Sequence, residues 1–172
     1  MVMRYLKLKI TLFTIVFVLI LSLTSIKIKS FIITKKSEDK IVYVDKIKDN
    51  EKIIFSYIHS VSKTPIKEIL YINGENISLQ EVRYIDQGGA GMPEFTWDDE
   101  KFEKEGNEFV IKNFKRYFDH IPITVQKDYR DKLTFENKTL KLDEIISGNG
   151  IADIKVRDLS ILEFFIYKFE GL

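Results

Sequence analysis

Residues 52–86 read KIIFSYIHSVSKTPIKEILYINGENISLQEVRYID. Three runs rich in Ile, Val, Phe and Tyr, at 52–60, 65–72 and 77–86, are separated by turn-forming residues, and side chains of this kind pack well on a pleated, half-buried surface. The Asn73-Gly74 step between the second and third runs is a hairpin signal, because glycine accepts the positive φ that tight hairpins require. Residues 61–64 lie near the turn between the first two. Three strands joined in this way form an antiparallel meander, and the stretch sets the fold class as all-β.

The same pattern continues outward in both directions. Further strand-like runs occupy 41–45, 108–113, 121–126, 132–136, 139–143, 151–157 and 161–169. Ile121, Ile123 and Val125 alternate with Pro122, Thr124 and Gln126, as the two-residue period of a strand with one buried face demands. Asn137-Lys138 reads as a second hairpin turn. Many short strands between turn signals point to a small antiparallel sandwich or barrel. In the last run Phe164, Phe165 and Ile166 are adjacent, which suits a strand buried on both faces. A helix is expected only from Thr96, a capping residue followed by Asp98, Asp99 and Glu100 at the positive end of the dipole, with Gly106-Asn107 ending it. The acidic stretch 94–108 around Trp97 and Phe102 reads as solvated surface, and it lacks the spacing of an EF-hand.

The amino-terminal segment is different in kind. Residues 10–26, ITLFTIVFVLILSLTSI, carry no charge and follow Arg4, Lys7 and Lys9. A spanning helix needs roughly 17–25 apolar residues, so this run suits an uncleaved anchor and also the apolar region of a cleaved signal. Ser22-Leu23-Thr24-Ser25 makes a poor cleavage site, which favours the anchor. The chain divides on this reading into a basic-flanked apolar segment at 1–34, a linker at 35–40 and a β domain at 41–172. Lys27, Lys29, Lys35 and Lys36 compete with the first basic cluster under the positive-inside rule, so charge alone does not orient the segment. Its signal-like layout, together with the resemblance described below, favours the amino terminus inside and the domain outside the cytoplasm.

Charge and cysteine content exclude several classes. Residues 1–40 hold eight Lys/Arg against Glu38 and Asp39, leaving 19 basic and 24 acidic residues in 41–172, a net of −5. An acidic domain offers no footprint for a phosphate backbone, so nucleic acid is not an expected partner. The absence of cysteine removes disulfides, thiolate metal sites and a cysteine nucleophile. His59 and His120 are the only histidines, no HExxH, GxSxG or P-loop pattern occurs, and no metal or cofactor is expected.

Two motifs remain. His59-Ser60-Val61 is followed by Thr64-Pro65 and Glu68, and Gly89-Ala90-Gly91-Met92-Pro93 follows the third strand. Together they resemble the bacterial family termed domain of unknown function 1850, over roughly residues 50–95. The resemblance implies a small exported or membrane-anchored protein, often encoded beside permeases of tripartite transporters that use TAXI-type solute receptors. No activity or catalytic residue comes with it.

The motif residues have physical readings of their own. If residue 60 pairs with 67, His59 faces Glu68 across the hairpin, and the carboxylate favours the imidazolium. Such a pair is either structural or a polar contact to a ligand or partner. The glycines around Ala90 shape a loop, or form a backbone nest for an anion. A meander brings both motifs to one end of the sheet, so His59, Ser60, Thr64, Glu68 and residues 89–93 are the candidate site for a protein partner, such as a transporter subunit, or a small anionic solute. The expected function is therefore a membrane-anchored or exported accessory binding domain. The alternatives are a small exported hydrolase using His59 and a carboxylate, or a structural envelope protein.

Overall fold

The computed structural model describes residues 2–85, 99–136 and 138–170. The chain opens with helix α1 (Val2–Ser25), whose side chains at Ile10, Leu12, Phe13 and Phe17 remain largely exposed, Phe13 at 72%. Among the described residues no helix is long and apolar enough to cross a membrane. Among the described residues eleven strands follow, with helical segments near the carboxyl end.

The strands are β1 (Lys27–Lys35), β2 (Lys40–Lys46), β3 (Lys52–Ile58), β4 (Pro65–Asn73), β5 (Asn76–Ile85), β6 (Lys101–Glu105), β7 (Glu108–Phe118), β8 (His120–Val125), β9 (Lys132–Phe135), β10 (Lys138–Lys141) and β11 (Gly150–Ser160). They form two antiparallel sheets, one of four strands in the order β2-β1-β11-β8 and one of seven in the order β10-β9-β3-β4-β5-β7-β6. The fold is a β-sandwich. Ile53, Phe55, Ile66, Leu70, Ile72, Ile77 and Ile111 of the larger sheet meet Phe31, Ile33, Ile123, Ile154 and Val156 of the smaller one in a single buried core. The expected meander is present as β3-β4-β5, with Asn73 opposite Asn76 and Gly74 at φ +64° in the turn between them.

The structure differs from the sequence reading in several places, each for a physical reason. The β domain begins at Lys27 and not at 41, because β1 lies between β2 and β11 and buries Phe31, Ile32 and Ile33 in succession. Residues 36–39 are then the turn of the β1–β2 hairpin rather than part of a linker, with the Lys36 amide donating to the Ile151 carbonyl at 3.0 Å. Within the acidic stretch, Lys101–Glu105 forms β6, paired with β7 across a turn where Gly106 sits at φ +65°, and so extends a sheet edge instead of a helix. The expected cap at Thr96 lies outside the described residues.

The last run is also a helix, α3 (Ile161–Glu170), where a strand was expected. A capping box starts it. Ser160 Oγ accepts the Glu163 amide at 3.2 Å, and Glu163 Oε2 accepts the Ser160 amide and hydroxyl at 2.8 and 2.7 Å. The helix then lays Phe164, 4% exposed, on Ile32, Val44 and Leu159. A shorter segment, α2 (Leu142–Ile145), takes the end of the run expected as a strand at 139–143, because the Leu142 side chain turns into the core.

The position of β1 generates a test. A fragment of residues 27–172 should unfold in one cooperative thermal transition followed by far-ultraviolet circular dichroism. A fragment of residues 41–172, lacking the strand that joins β2 to β11, should show none. In the longer fragment, Ser160→Ala should lower stability by about 1 kcal/mol, the usual worth of a helix cap.

Candidate functional site

The inner face of β3 carries Ile53, Phe55 and Tyr57, since alternate residues share a face. Opposite them β4 presents Leu70, Glu68 and Ile66, with Phe55 paired to Glu68 and Tyr57 to Ile66. Glu68 therefore points into the sandwich. Its other neighbour in register is Val82 of β5, itself buried. A carboxyl group in phase with two core isoleucine and leucine positions has to be accommodated where the sheets separate.

They separate at the end where β3 stops and β4 starts. A cleft of about 370 Å³ opens there, lined by Phe55, Tyr57 and Glu68 from the larger sheet, Ile121 and Ile123 from β8, and Tyr129 and Asp131 from the connection between β8 and β9. His59 and Ser60 stand at its rim. The volume is at the small end of the range for ligand pockets, about 300–1,000 Å³. A separate groove on the outer face of the larger sheet, around Ser78, Arg83 and Lys112, is lined by none of the motif residues.

Within the cleft the Tyr57 hydroxyl donates to Glu68 Oε1 at 3.1 Å. Burial pushes the Glu68 carboxyl above its ordinary range, and the Tyr57 hydrogen bond offsets only part of that. Asp131, 3% exposed, accepts the Gln126 amide at 3.3 Å, and its carboxyl is likewise raised, first by burial and then by the charge of Asp143. The Tyr57 hydroxyl is pushed up by burial and by the two carboxyls near it. Both acids are thus biased toward the protonated form, since the charged form of either is poorly solvated here.

The expected His59–Glu68 pair does not form. The β3–β4 connection takes residues 59–64, with Lys63 at φ +57°, the His59 amide donating to the Thr64 carbonyl at 2.9 Å and Ile58 paired with Pro65. The longer turn shifts the register, so Tyr57, two residues earlier and on the same face as the expected histidine, takes the place beside Glu68. His59 is turned to its own loop instead. Its Nδ1 accepts the Ser62 amide at 3.3 Å and lies 3.0 Å from Ser62 Oγ, which in turn is 2.8 Å from Thr64 Oγ1. Because the amide donates to Nδ1, the imidazole holds its proton on Nε2 when neutral. Ser62 and Thr64 are absent from the cleft lining, so this hydroxyl and imidazole brace a turn.

Of the candidate residues, His59, Ser60 and Glu68 line one cleft, and Thr64 lies in the turn at its rim. Residues 89–93 lie outside the described residues. The strand leading to them, β5, ends at Ile85 beside the start of β4, since Tyr84 pairs with Ile66. Tyr57, Tyr129 and Asp131 were not singled out from sequence. The signal for part of this was present: Glu68 falls in phase with Ile66 and Leu70, and an acid at an apolar phase marks a buried polar site.

The second histidine belongs elsewhere. His120 lies on the opposite face of β8 from Ile121, with Nδ1 2.7 Å from Asp153 Oδ1, and Lys155 Nζ reaches Asp153 Oδ2 at 2.8 Å. Burial pushes the Asp153 carboxyl up, but its bonds to Lys155 and His120 outweigh this and leave it lowered. Among the described residues no group of three or more His, Cys, Asp or Glu is arranged to hold a metal ion.

Neither the curated proteins nor the solved structures include a match to this chain. A family model does match, over residues 53–142, which runs from β3 through β10 and contains every residue lining the cleft. On that match, covering more than half of the sequence, the chain belongs to the family described as Domain of unknown function (DUF1850).

Proposed function

We propose that this protein is a membrane-attached binding domain, displayed outside the cytoplasm, whose cleft between the two sheets takes a small polar solute. The observation that carries the reading is Glu68: a carboxyl in the core register of a sandwich, bonded to Tyr57 and facing an open cleft. A protein needing only a core would place an apolar residue there, since a buried acid costs stability. Among the described residues no lysine or arginine lines the cleft. Two acids and three aromatic rings suit a neutral or cationic solute, a different ligand class from the anion that the glycine loop suggested.

Membrane attachment is part of the same proposal. It rests on the exposed apolar side chains of Ile10, Leu12, Phe13, Phe17, Ile20 and Leu21 and the basic residues that precede them, not on the length of a spanning helix. The family's implied neighbourhood with transporter permeases favours a role beside a solute transporter. A hydrolase is the second reading, favoured by His59 and Glu68 lining one cleft. Against it, the hydroxyl that meets His59 is braced in the turn.

Three tests follow. Thermal shift of the β domain with a panel of small amines, amides, sugars and carboxylates should show stabilisation by a neutral or cationic member. Glu68→Gln should abolish that shift while leaving the unliganded melting temperature within a few degrees. Stabilisation by carboxylates alone would refute the assignment.

The raised Glu68 carboxyl also sets a pH dependence. Below its unfolded value, near 4.5, both states hold the proton and the group adds no slope. As pH rises through the higher folded value, the unfolded state has already released its proton and the folded state loses stability relative to it. Glu68→Gln should therefore gain on the parent as pH rises from 4.5 toward neutrality. Tyr57→Phe should lose about 1 kcal/mol near neutral pH, where the hydroxyl supports the ionised acid.

Topology is checked on cells. Protease added to intact spheroplasts should digest the β domain, and the chain should sediment with membranes. Protection until lysis would contradict the outward placement.

A further inference from the structure

Helix α3 has two apolar stripes where a surface helix ordinarily has one. The first faces the protein: Phe164 is buried against Ile32, Val44 and Leu159, and Tyr167 packs beside it. The second faces away. Leu162, Phe165, Ile166 and Phe169 recur at the i, i+3, i+4, i+7 spacing of a single helix face, and each is exposed, Phe169 at 74%. Phe165 and Phe169 stack with ring centres 6.3 Å apart, forming one continuous apolar surface. The two acids of the helix lie off this stripe, Glu163 in the capping box and Glu170 one residue beyond Phe169.

What covers the second stripe is indicated by its neighbour. The Ile161 amide donates to the Ile26 carbonyl at 3.1 Å, and α1 packs against α3 and β11, so the stripe begins where the apolar α1 joins the domain. The register of β1 with β11, Lys27 opposite Ser160, places basic Lys27 at that same junction. We propose that the outward face of α3 lies in the lipid headgroup and acyl boundary, with Leu162, Phe165, Ile166 and Phe169 inserted, so that α3 docks the domain against the bilayer that α1 enters. This rests on the reading of residues 10–26 as membrane-directed. A helix lying in the interface buries such a stripe by roughly 5–10 Å, and basic residues beside it meet anionic headgroups.

The chain has no cysteine, so a single introduced one reports a single place. The full chain is reconstituted with vesicles of phosphatidylethanolamine and phosphatidylglycerol, carrying an environment-sensitive fluorophore at Phe169→Cys. Glu170→Cys on the same helix and Tyr117→Cys on the outer face of the larger sheet serve as references. The label at 169 should shift to the blue and be quenched several-fold more by lipids bearing a nitroxide on the acyl chain than the label at 170 or 117. Equal, weak quenching at all three positions in a chain that floats with vesicles overturns the docking of α3 while leaving membrane attachment standing. A chain that does not float at all overturns both. Blue-shifted emission at 169 without nitroxide quenching, accompanied by energy transfer between labelled copies, assigns the face to a second copy of this chain and also overturns the proposal.

Discussion

A strand buried on both faces has to be covered twice, and β1 is such a strand. Phe31, Ile32 and Ile33 are consecutive, and since neighbours point to opposite sides, no single layer can bury all three. The seven-stranded sheet covers Phe31 and Ile33 on one side. Helix α3 covers Ile32 on the other, with Phe164 and Tyr167. Much of the architecture follows from that demand. The capping box at Ser160 fixes where α3 starts, β11 delivers it directly to the outer face, and the strand that needs both covers is the one continuous with α1.

The site is a consequence of unequal layers. Four strands cannot cover seven, and the larger sheet is left open at the end of β3 and β4, where a polar side chain can face inward without being sealed. Glu68 occupies that place in the register of Ile66 and Leu70. Tyr57 supplies its hydrogen bond from the adjacent strand, and Asp131 is held nearby by the connection that carries the chain from one sheet to the other. The part of the chain that the family model matches holds the whole cleft but not β1, β2, β11 or α3. Cleft and covers are thus separable in sequence, one shared with the family and the other found outside the matched range.

Period-2 alternation and turn residues made the meander and most strands readable from sequence, because the side chains at 53–57, 66–72 and 121–125 face one core. The misreadings share a cause. Residues 27–35 follow an apolar segment directly and are buried on both faces, so they lack the alternation that marks a half-buried strand. Residues 161–169 carry apolar groups on two helix faces, which hides the 3.6-residue period. Ser160 and Glu163, spaced as a capping box, were the legible clue to that helix. At the site, Glu68 was identified but its partner was not, since the six-residue turn moved the register by an amount that spacing alone does not disclose.

The central claim is that the Glu68 carboxyl is desolvated in an open cleft and supported by Tyr57. Its most direct test is a carbon-13 NMR titration of the Glu68 side-chain carboxyl in the folded β domain, beside the same titration in Tyr57→Phe. The account predicts a midpoint above the ordinary 4.5, rising further when the Tyr57 hydroxyl is removed. A midpoint at or below the ordinary value, unmoved by Tyr57→Phe, would place Glu68 in solvent and contradict it.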